Sequence, residues 1–118
     1  MSGGYVERSI SYHHPGAVGS HQLHFREGQL AAFNEITKLL TERGIELYLV
    51  FAPITSELYS SYSNYAEFKN LMNHSGHFVD FNEILTLNDS LHFYDKSHLN
   101  QNGVELFNLA LIDSLLIN

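Results

Sequence analysis

Ile45 to Ala52 reads IELYLVFA, an almost wholly apolar run held between Gly44 and Pro53. It is too short for an ordinary helix and rich in the side chains that suit a pleated surface. The run predicts a strand that is apolar on both faces, and such strands belong to parallel sheets covered by helices. Pro53 has no N–H to give and ends the ladder. A chain that contains this segment needs further strands and helices to bury it.

The flanking sequence supplies some of that cover. Leu30, Phe33, Ile36, Thr37 and Leu40 recur at helical spacing, with Glu35, Lys38 and Glu42 on the other faces. This predicts a helix from Glu27 to Arg43, closed by Gly44 in a left-handed conformation. After the strand, Asn64 and Glu67 have the spacing of a capping pair. Tyr65, Phe68, Leu71 and Met72 form the stripe of a second helix, stopped by Gly76. HFVDF, His77 to Phe81, is a second short strand. Asn82 to Ser97 is a long loop with a turn near Asn88 and Asp89. Asn100 can cap a last helix whose inner face is Val104, Phe107, Leu111 and Leu115.

The order helix–strand–helix–strand–helix gives a βαβ unit, so the two strands should be parallel. The fold class expected is α/β, a three-layer-type parallel sheet remnant over 27–118, preceded by a poorly patterned arm over 1–26. In open parallel sheets, ligands bind beyond the carboxyl ends of the strands. PITS follows the first strand and the loop ending in YDKSHLN follows the second, so both fall on that edge.

Charge and composition narrow the function. Lys and Arg number 6 against 13 Asp and Glu, for a formal charge of −7. Nucleic acid and anionic membrane surfaces both require a basic footprint, which is missing. The absence of cysteine excludes disulfides, thiolate catalysis and cysteine-ligated zinc. No apolar leader-type segment occurs in the first thirty residues and no run reaches membrane-spanning length, so membrane insertion is not expected and the compartment stays open.

The segment FYDKSHLNQNG, Phe93 to Gly103, carries the chemistry. A histidine is the usual general base near neutral pH, and a carboxylate on one ring nitrogen fixes its tautomer and stabilises the imidazolium. Asp95 is placed to do this for His98 within one loop turn. Asp80 and Glu83 are alternative acids, farther away in sequence. The plain structural alternative is a polar loop with Asp95 near a helix start, favoured by the helix dipole.

The longer string FYDKSHLNQNGVELFN resembles the last motif block of the SGNH hydrolases, the GDSL-type esterases and acyltransferases. The matching residues are Asp95, His98, Leu99, Asn100 and Gly103. LYLVFAPIT and FVDF also fit the strands of that flavodoxin-like fold, and the resemblance runs from about Leu30 to Leu116. It is nearest to bacterial SGNH-like proteins associated with polysaccharide acylation. It implies Asp95 and His98 as the acid–base part of a catalytic triad, an ester or acylated carbohydrate as substrate, and no cofactor.

The family's N-terminal nucleophile block and its oxyanion-hole glycine and asparagine have no counterpart here. The nearest string is VGSHQ, whose Ser20 follows no apolar strand and adjoins no aspartate, so Ser20 is a weak nucleophile candidate. The chain looks like the carboxyl half of such a domain. It is then a fragment of a longer product, one member of an assembly that supplies the missing strands, or a half-domain that binds without reacting. Two parallel strands leave two open edges, and this predicts a homo-oligomer or a partner chain.

Other features have structural readings. His13, His14, His21 and His24 are spaced such that His21 and His24 can share a helical face, but only Glu27 stands near enough to complete a metal set, and no metal site is expected. His74 and His77 flank Gly76 at a helix end. The tyrosines of ELYSSYSNY read as half-buried positions of an amphipathic helix start, with a carbohydrate-stacking surface as the alternative. Thr55 and Ser56 read as capping residues.

Overall fold

The computed structural model describes residues 11–14, 16, 19–24 and 26–116. Helix α1 spans Glu27–Glu42, strand β1 Tyr48–Phe51, α2 Ser56–Ser61, α3 Tyr65–Ser75, β2 His77–Asp80, α4 Phe81–Ile84 and α5 Gln101–Leu111. A π-helical turn, Ile112–Leu116, follows α5. The expected order is present, with two short helices inserted, α2 and α4. Gly44 closes the first helix at φ 67°, in the left-handed region where a glycine carries no steric penalty.

The two strands pair in parallel, with Tyr48 opposite His77, Leu49 opposite Phe78, Val50 opposite Val79 and Phe51 opposite Asp80. Opposite residues share a face. Leu49, Phe51, Phe78 and Asp80 therefore line one side, and α3 covers it. Its Phe68 ring lies 5.7 Å from that of Phe51 and 5.8 Å from that of Phe78. Beside it, Leu30 and Phe33 of α1 share an apolar groove with Phe68, Leu71 and Met72. At the end of β2, Phe107 of α5 meets the fully buried Phe81 at 5.2 Å.

The other face carries Tyr48, Val50, His77 and Val79. Here the sequence expectation fails: β1 is not buried on both sides, since Tyr48 is 46% and Val50 40% exposed. The run is apolar enough for a central strand, but among the described residues no third strand pairs with it. Ile36, expected inside α1, is also exposed, and α1 and α3 bury no residue. The inner face of α5 is placed as expected, with Val104, Phe107, Leu111 and Leu115 all half-buried.

Burial concentrates instead beyond the carboxyl ends of the strands. Pro53, Thr55, Leu58, Asp80, Phe81, Phe93, Asn100 and Gly103 are buried there. The described residues of the arm before α1 lie against this cluster, and residues 1–10 of the arm are outside the described residues. The Ser11 carbonyl accepts from Asn100, His13 N–H donates to Phe93 O at 2.7 Å, and His21 pairs along Tyr62 as an isolated parallel bridge. Asn64 departs from its expected role. It is the N-cap of α3 but makes no side-chain cap, and its amide instead grips both backbone groups of Leu23.

Candidate functional site

Pro53 interrupts β1, and the chain compensates with a side chain. The amide of Asn82, just past β2, accepts from Ile54 N–H at 2.8 Å and donates to Ala52 O at 3.2 Å. It thus continues the ladder across a residue that cannot donate. Asn82 is itself fixed by Asp80, whose Oδ1 accepts from both its N–H and its amide at 2.9 Å.

Asp80 also receives the hydroxyls of Tyr59, at 2.6 Å, and Tyr65. Burial, and then the hydrogen bond to this carboxylate, push both phenols well above their ordinary range. Asp80 is therefore not an alternative acid for His98, and neither is Glu83, which pairs with Lys69 at 3.0 Å. The tyrosines of ELYSSYSNY read as half-buried, and Tyr59 and Tyr65 are. Their common acceptor was hidden because it lies 15 and 21 residues further along.

The N-terminus of α2 forms the platform for the loop. Thr55 caps it, accepting from Leu58 N–H at 3.4 Å, and Asp89 takes the N–H groups of Ser56 and Glu57 at 2.7 and 3.2 Å. Thr55 then uses its own donors. Its N–H, at 3.1 Å, and its hydroxyl, at 2.6 Å, both reach the Lys96 carbonyl. Thr55 is fully buried, and its two bonds to this carbonyl are partly shielded from water. Two points of the long loop, Asp89 and Lys96, are pinned to one helix end.

Between Phe93 and Leu99 the loop folds back on itself. These two residues form an antiparallel bridge, and Tyr94 N–H donates to His98 O at 3.0 Å. Phe93 is fully buried and anchors the turn. At its tip, His98 Nδ1 lies 2.9 and 3.0 Å from the two carboxylate oxygens of Asp95. Ser97 N–H donates to the same carboxylate at 2.9 Å. Partial burial works to raise the Asp95 carboxyl, but the Ser97 N–H and the His98 ring outweigh it and hold it below the usual range. The His98 ring stacks on Tyr94, with centroids 5.4 Å apart and planes 10° from parallel. Its side chain is 61% exposed.

The last helix begins immediately behind. Asn100 caps it, accepting from Gly103 N–H at 3.0 Å and donating to Leu91 O and Ser11 O. Gly103 is required by space: a Cβ there would stand 2.2 Å from the His92 carbonyl oxygen and 2.8 Å from Leu99. His92 is a structural histidine, since its Nδ1 accepts from Asn88 N–H at 2.8 Å.

Asp95 and His98 are thus brought together, and Ser20 is not brought to them. Ser20 is exposed, and its neighbour His21 is held by Ser61 and Ser63, at the end of α2 opposite to Thr55. Ser97 lies 3.2 Å from His98, but on Nδ1, the nitrogen already held by Asp95. Among the described residues no hydrogen-bond partner meets Nε2. A cavity of about 180 Å³ between the strand ends is lined by Pro53, Ile54, Ser56, Tyr59 and Asn82, and so adjoins the platform rather than the imidazole.

Among the described residues no three His, Asp or Glu side chains converge as a metal site. Two of the arm histidines have other partners: His13 bonds Glu57 at 2.5 Å and His21 bonds Ser61 at 3.1 Å. No described helix is long and apolar enough to cross a membrane. No family model, no curated protein and no solved structure matches this chain.

Proposed function

We propose that the Asp95–His98 loop is the acid–base element of an SGNH-like ester hydrolase or acyltransferase, acting on an ester such as an acylated carbohydrate. The observation that supports this reading is the grip of Asp95 on His98 Nδ1 at 2.9 and 3.0 Å, with the ring stacked on Tyr94 and its far side open. A carboxylate on Nδ1 selects the tautomer whose Nε2 lone pair is free to take a proton. In the reaction, Nε2 removes the proton of an attacking hydroxyl as its oxygen bonds to the acyl carbon. The bond to the leaving alcohol then breaks, and the imidazolium returns the proton to that alcohol. In this reading the hydroxyl comes from a water or from another polypeptide.

The test is hydrolysis of p-nitrophenyl acetate by the purified chain from about pH 5 to pH 9. Turnover is expected to drop to background in His98→Ala. Unchanged turnover in that variant removes any catalytic role for the loop.

A second reading is an inert α/β half-domain that binds a partner or itself. It is favoured by the lack of a hydroxyl at Nε2 among the described residues. In that case wild type and His98→Ala both stay at background.

A further inference from the structure

The open edge and bare face of β1 belong together. The Leu47 carbonyl accepts from His77 N–H at 2.9 Å. With the two-residue period of a parallel ladder, this commits the backbone groups of Leu49 and Phe51 to β2. The N–H and C=O of Tyr48 and Val50 therefore point to the opposite edge, which no strand among the described residues pairs with. Their side chains are exposed on the uncovered face, where the Tyr48 ring stacks on His77 at 4.9 Å. The same two residues thus offer both unpaired backbone and unburied apolar surface.

The other edge of the sheet is different. β2 is His77–Asp80, with a titratable residue at each end, and it runs directly into α4. Charged and polar side chains are one way natural edge strands resist further pairing. β1 is Tyr48–Phe51, with no charge in the strand.

We infer that β1 pairs with β1 of a second copy of this chain, antiparallel, about a twofold axis through Leu49. The strand is self-complementary in that register. Tyr48 of one copy stands opposite Val50 of the other, both on the bare face, and their outward backbone groups meet as two hydrogen-bonded pairs. Leu49 faces its own equivalent as the non-hydrogen-bonded pair between them. The cross-strand pairs are aromatic against β-branched, a favourable combination.

Net charge does not oppose this pairing locally. Glu46 falls opposite Ala52 of the second copy, not opposite another acid. The result is a four-stranded sheet with β2 at both edges.

The inference is independent of catalysis. It is tested by light scattering and sedimentation from low to high micromolar concentration, on wild type and Val50→Lys, with circular dichroism as the check on folding. Wild type is expected to be a dimer and Val50→Lys a folded monomer. If Val50→Lys does not fold, Leu49→Cys decides. The chain has no cysteine, and the two Leu49 Cα atoms in this register stand about 4.5 Å apart, within disulfide reach. This variant should oxidise to a covalent dimer, while Gly28→Cys on α1 should not. A monomeric wild type overturns the inference, as does a dimer that survives Val50→Lys or a Leu49→Cys chain that does not cross-link.

Discussion

Beyond the carboxyl ends of the strands, Thr55, Asp80, Phe81, Phe93 and Asn100 are buried in segments that are mainly loops and helix ends. The two helices on the covered side of the sheet, α1 and α3, bury no residue. The usual division of labour, in which regular elements make the core and loops decorate it, is reversed. The loop end is held by polar groups with long sequence separation: Thr55 to Lys96, Asn82 to Ile54, Asn100 to Ser11. The helix end is held by an open apolar groove. Polar groups that are buried and fully paired specify one geometry, whereas a shallow apolar contact tolerates many.

Glycine substitutions give the sharpest contrast. Gly103→Ala should lose about 3 kcal/mol or more in chemical denaturation, because the new methyl meets a backbone carbonyl that cannot move aside. Gly28→Ala, in the first turn of α1 with nothing within 4 Å, should be neutral or gain up to about 1 kcal/mol. Equal effects would erase the distinction between the two ends.

Thr55→Val comes next. It takes the buried hydroxyl away from the Lys96 carbonyl and the cap from α2, and should cost about 1 to 3 kcal/mol. It should also shift the His98 ring resonances in NMR spectra, with Thr55→Ser restoring them. A Val variant that loses stability but leaves those resonances in place would make Thr55 a cap and nothing more.

The smallest effect is the alkaline one. Tyr59 and Tyr65 have phenols raised by burial and by Asp80. The unfolded chain releases these protons first, so their contribution to stability is complete below the ordinary phenol value near about 10 and declines as pH rises above it. In a spectrophotometric titration, two of the seven tyrosines should ionise only with unfolding. All seven ionising together in the folded protein would dissolve the Asp80 cluster.

How much of this could be read from sequence follows the same division. The strands, their parallel pairing, the cap by Asn100 and the inner face of α5 were legible, because each rests on local periodicity or on a residue acting within its own turn. The Asp95–His98 pair was legible for that reason too. Thr55 gave its identity as a cap but not its second task, because Lys96 lies 41 residues away. The docking of the arm was invisible, since Ser11, His13 and His21 bond backbone and side-chain groups that are all distant in sequence, such as Glu57 and Ser61. Over-reading came from β1. Its composition fits a central strand, and that property states what the strand can bury without saying who buries it.

Asn82 makes the two loop-bearing strand ends mechanically one piece. With its amide spanning Pro53 and its own backbone tied to Asp80, a tug on the segment after β1 is felt at once after β2. The α2 platform and the turn it carries should therefore shift as a unit, and whatever approaches His98 meets a stiff tip on a braced stem.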